Sequence, residues 1–147
     1  MQRATKWNTQ PDIASGCADI SYRWESEQRA QLIVLMHFSR VVDGSRMDLE
    51  LAFPSPLAVM WETESFGLID SPVELPKLSG PRFGGWTFPT ILVENSAWAE
   101  RYAARKYSAN DINALHIKHY FLVSLNDLLH VLAEGTPRSK WVEAVDA

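Results

Sequence analysis

The sequence predicts an α+β fold, a mainly antiparallel sheet of about six strands with one amphipathic helix over residues 96–106 and a short C-terminal helix. Three observations carry that expectation. Met47, Leu49, Leu51 and Phe53 alternate with Arg46, Asp48, Glu50 and Ala52, the period of two that sets one strand face on a core. Asp43-Gly44, just before them, accepts the positive φ angles of a tight hairpin, so this strand returns along its predecessor. Trp98, Tyr102 and Arg105 recur at i, i+4 and i+7 behind Asn95-Ser96, whose side-chain oxygens can cap the first exposed amides of a helix.

With 147 residues, 46% hydrophobic and 22% charged, the chain suits a single domain, 1–147, around one core. No stretch approaches the roughly 18 apolar residues of a membrane span, and Met1 to Lys6 opens no apolar signal region. Lone Cys17 can make no internal disulfide, so a reducing cytoplasm is expected. Acidic residues exceed basic ones by 18 to 14, a net charge of −4. Residues 1–75 account for the excess with 11 acidic and 6 basic residues. Nucleic acid is therefore not an expected partner, because counterion release needs clustered cations. The single basic cluster, Arg101, Arg105 and Lys106, has the spacing of a solvated helix face.

Along the chain, residues 1–16 read as a loose N-terminal arm. Tyr22 and Trp24 alternate with Ser21, Arg23 and Glu25, a strand with one wet face. Leu32 to Val41 is apolar on both sides and reads as a central strand. Pro54 and Pro56 break the ladder after residue 53, and Leu57 to Glu62 resumes as another strand. Residues 63–88, with three prolines and four glycines, form a long irregular connection. Phe66, Phe83 and Trp86 should pack parts of it on the sheet. Phe88 to Glu94 precedes the helix as a short strand, and His116 to Leu125 alternates as a strong one. Leu128, Val131 and Leu132 fit a strand and a helix equally well. Thr136-Pro137 can start a terminal helix reaching Val145.

Phe88 to Trp98, His119 to Asp127 and Val131 to Ala133 together resemble a loose group of small bacterial cytoplasmic proteins of unassigned function, some of which look like immunity proteins that neutralise secreted toxins. The resemblance covers about 45 residues. It implies a mostly antiparallel β fold with one helix, and a strand rather than a helix over 128–133. It transfers no functional residue.

Chemistry-bearing groupings are few. His116 and His119 diverge in a strand, so no metal site is expected, and no cofactor motif is present. His37 lies among apolar neighbours and reads as a core histidine rather than the base of Ser39 or Cys17. Gly80 to Gly85 lacks the Lys-Ser/Thr ending of a phosphate loop and reads as a turn. The acidic pairs Asp48 with Glu50 and Glu62 with Glu64 read as the wet face of a sheet.

The remaining grouping sets the functional expectation. Trp61, Glu62, Glu64, Phe66, Asp70 and Glu74 gather aromatic rings and carboxylates into one strand end and loop, the composition of a docking surface for a protein with a basic face. The reading is a binding module, immunity-like, with no catalytic residue assigned. One alternative is a small-molecule or enzymatic pocket near residues 79–90, ringed by Trp86, His119 and Tyr120. Another is a homo-oligomer subunit joined through a free edge strand.

Overall fold

Asp43 and Gly44 take φ values of 50° and 80°, and the hairpin they close sits at the centre of one of two sheets. In this computed structural model residues 2–25, 31–62, 73–106 and 116–144 are described. The hairpin joins β3 (Gln31–Val42) to β4 (Ser45–Pro54), with β2 (Asp19–Glu25) outside β3 and β9 (Arg138–Glu143) outside β4. The second sheet runs β1 (Arg3–Lys6), β6 (Thr90–Glu94), β7 (Lys118–Val123), β8 (Leu128–Ala133) and β5 (Pro56–Glu62). All pairings are antiparallel. The fold is thus mostly antiparallel β with one helix among the described residues, α1 (Ala97–Lys106), as expected, but nine described strands in two sheets replace one sheet of six.

The prolines explain the difference. Pro54 and Pro56 end one ladder and begin another, with Ser55 at φ 48° between them, so the chain leaves the first sheet and enters the second at its far edge. Alternation then builds the core between the sheets. Leu32, Val34, Met36, Leu49, Leu51 and Phe53 from one sheet meet Tyr120, Leu122, Leu129, Val131 and Ala133 from the other. Phe53 and Tyr120 meet edge-on, 5.3 Å between ring centres, and Trp7 closes on both.

Two terminal expectations are corrected. Residues 3–6 are not part of a loose arm: they form β1, pairing Arg3 with Glu94 through Lys6 with Ile91. The terminal helix is β9 instead. Ser139 and Trp141 face one way while Arg138, Lys140 and Val142 face the other, and pairing with β4 satisfies backbone groups that a lone short helix would leave to water. Its expected end at Val145 lies outside the described residues. Residues 128–133, which periodicity leaves open between strand and helix, are strand.

The outer face of the five-stranded sheet carries a second, smaller core of Ala4, Ile91, Val93 and Phe121, with Val73 and Leu75 laid over it. Helix α1 packs on the same face; its N-cap is Ser96, whose Oγ accepts the Ala99 amide at 3.1 Å. Of the long connection, residues 73–88 make one excursion pinned by the Lys77 and Thr87 bridge, with turns over 81–85 as read. Among the described residues no helix is long and apolar enough to cross a membrane.

Candidate functional site

Alternation along β5 divides the expected docking residues. Trp61 faces the first sheet and Glu62 the opposite side, because neighbours in a strand point apart. Trp61 is 37% exposed and lies 5.7 Å, ring to ring, from Tyr22 of β2. That contact brings together the outer edges of the two sheets. Tyr22 is 41% and Trp24 54% exposed there, although both point to the inner side of β2. Tyr22 meets Trp61 across the two edges, while Trp24, two residues further along β2, lies more than half open to solvent. Glu25, at the strand's end beside Trp24, holds Arg23 at 3.0 Å.

The alternation in β2 predicts one wet face, with Tyr22 and Trp24 opposite it, yet both rings are exposed. A signal existed: β2 offers Ile20 alone as an aliphatic inward residue, beside two amphipathic rings. Glu62 leaves the docking group, and Glu74 is exposed between Val73 and Leu75, which cover the smaller core. Glu64, Phe66 and Asp70 lie outside the described residues.

Glu62 points instead at a buried polar chain under α1. Ser96 Oγ lies 2.6 Å from His119 Nδ1, and His119 Nε2 lies 2.8 Å from His130 Nδ1. Glu62 Oε2 is 3.4 Å from His130 Nε2, in contact but off hydrogen-bond geometry. The carboxylate decides the direction of the chain. It favours a hydrogen on His130 Nε2, which leaves Nδ1 to accept from His119 Nε2–H, and His119 Nδ1 to accept the Ser96 hydroxyl. Burial pushes the His119 ring down to about 3, with a smaller push from His130, and pushes His130 down to about 4. Both rings are neutral at physiological pH. Phe121 stacks on His130 at 4.3 Å and Trp98 meets His119 edge-on at 5.1 Å, so the chain is sealed in rings.

The expected pocket of Trp86, His119 and Tyr120 is not assembled. His119 and Tyr120 are consecutive in β7 and belong to opposite faces, one under the helix and one in the main core. Trp86 is 46% exposed, and it packs on Phe83 and against Gly16. The loop does border a cavity of about 300 Å³ elsewhere, between Phe83, Ile13, Phe38 and Trp141. There Arg40 stacks on Trp141 at 4.5 Å and pairs with Asp12.

His37 is also relocated. Its side chain is one-third exposed on the outer face of the four-stranded sheet, not in the core. Its Nδ1 lies 2.9 Å from Asp48 Oδ2, and its Nε2 lies 3.3 Å from Ser21 Oγ. Cys17 meets the backbone carbonyl of His37 rather than its ring, and the Ser39 side chain lies outside what is described. Cys17 is buried, gives its thiol to the Asp19 carbonyl at 3.1 Å, and is pushed up to about 12 by burial. That thiol is no nucleophile. No metal-ligating cluster of three His, Cys, Asp or Glu occurs among the described residues.

Comparison with family models, curated proteins and solved structures finds no match.

Proposed function

We propose that this chain is a protein-binding module, immunity-like in its manner of action, that engages a partner with a basic surface through the joined edges of β2 and β5. The observation that carries the reading is the exposed cluster of Tyr22, Trp24 and Trp61 at that edge. Large rings left in water on a strand with no outer neighbour among the described residues are expensive unless covered, and they supply rigid contact area at little entropic cost. The support for a basic partner is the charge of the whole chain, −4, with the acidic excess in residues 1–75. Opposite charge on the partner speeds encounter, and the rings hold the complex once formed.

The test is capture from native-host extract followed by cross-link mapping. Cross-links should fall on residues 22–25 and 60–62 with a basic partner, and W24A together with W61A should lose that partner at unchanged thermal stability. Association should slow by at least tenfold between low and physiological salt. Cross-links elsewhere, retention by the double variant, or a self-paired dimer through the same edge would each overturn the reading.

A further inference from the structure

The outer face of the four-stranded sheet holds a grouping that the docking edge does not use. Three strands supply it. Asp48 of β4 lies opposite His37 of β3, and Ser21 of β2 sits one step along on the same face. The Asp48 carboxylate is 4% exposed and accepts the Nδ1 hydrogen of His37 at 2.9 Å. With Nδ1 occupied, the free lone pair is on Nε2, aimed at Ser21 Oγ 3.3 Å away. Ser21 is exposed on an edge strand, so an electrophile can reach it. Nucleophile, base and orienting acid therefore stand in order, each within reach of the next.

Beside them the same face is hollowed. A cleft of about 470 Å³ is lined by Arg23, Arg138 and Lys140, with Glu25 and Glu50, one positive charge in excess. Arg23 is two residues beyond Ser21 on the same side of β2, about 7 Å along the strand. A substrate group held there would carry negative charge.

We propose that Ser21, His37 and Asp48 form an acyl-transfer site that hydrolyses small carboxylate-bearing esters, with the carboxylate seated in the Arg23, Arg138 and Lys140 cleft. Ser21 Oγ attacks the ester carbonyl and its proton passes to His37 Nε2. The bond to the leaving alcohol breaks as Nε2 returns that proton to it. Water then attacks the acyl-serine, giving its proton to Nε2, and the acid departs while Ser21 recovers its hydrogen. The net change is ester and water to acid and alcohol. Asp48 is a positioning residue, holding the ring in the tautomer that leaves Nε2 free.

The experiment treats the whole chain with a fluorophosphonate probe, followed by peptide mapping, and measures release of nitrophenol from p-nitrophenyl succinate and p-nitrophenyl acetate. One equivalent of probe should attach at Ser21, and S21A should take up none. H37Q should slow labelling at least 100-fold. D48N should slow it at least tenfold at an unchanged melting temperature, with the His37 ring nitrogen shifts moving off the Nδ1-protonated tautomer. The succinate ester should be cleaved at least tenfold faster than the acetate, and R138A should erase that preference. Labelling of Ser21 no faster than other exposed serines, or labelling of H37Q as fast as the native chain, overturns the proposal; an equal rate on the two esters overturns the cleft's role.

Discussion

Lowering pH from 7 to 5 should cost this fold several kcal/mol, and the buried imidazole pair is the reason. His119 and His130 ordinarily titrate near 6.5, but burial carries them down to about 3 and about 4 in the folded chain. Below pH 6.5 the unfolded chain binds protons that the folded chain refuses. Stability is therefore fully present above 6.5 and is lost as pH falls through the window down to about 4 and about 3. Each ring loses at most about 1.4 kcal/mol per pH unit. At pH 5 that is roughly 2 kcal/mol per ring and about 4 kcal/mol for the pair, against roughly 5–15 kcal/mol for a typical domain.

Urea titrations followed by tryptophan fluorescence at pH 7, 6 and 5 measure this directly, and Trp98, on the pair itself, reports locally. The midpoint should fall steeply with pH at constant slope m. In H130Q the fall should roughly halve, whatever that variant loses at pH 7, because the difference between the two curves cancels every other titrating group. A midpoint equal at pH 7 and 5, or an H130Q curve parallel to the native one, would refute the neutral buried pair.

Leu51→Ala, at a fully buried site between the sheets, should cost about 2–5 kcal/mol in urea unfolding. Ser96→Ala removes both the α1 cap and the partner of His119 Nδ1; a loss of about 1–3 kcal/mol is expected, and helical circular dichroism should fall with it. Gly84→Ala would drive a Cβ into the Gly80 carbonyl oxygen, well inside contact distance, so the 80–85 turn must open. A loss of more than about 1 kcal/mol, with faster proteolysis confined to this loop, checks it.

What could be read from the sequence was local. The Asp43-Gly44 hairpin, the β4 alternation and the Ser96-capped helix each rest on residues within a few positions of one another, and each is in the structure. What could not be read depends on pairing between distant segments. Pro54 and Pro56 announce a break in a ladder, but whether the next strand rejoins the same sheet is decided by packing across the core. Residues 138–143 carry a strand alternation behind a proline that equally suits a helix start, and the open side of β4 settles the choice. The His37 grouping draws on positions 16 and 11 residues away in two other strands, a separation at which spacing says nothing.

The strand β2 ties the two functional readings to one register. Ser21 and Arg23 face the outer cleft while Tyr22 and Trp24 face the aromatic edge, and this division holds only while Ile20 pairs with Met36. A slip of one residue would turn Ser21 away from His37 and carry the two rings onto the charged face. The anchor against such a slip is the core itself, where Ile20 is 4% exposed and belongs to the same buried cluster as Val34, Met36 and Leu49. Moving it to the outer face would strip an aliphatic side chain from that cluster and set an aspartate or serine in its place, so the register that serves both sites is the one the core enforces.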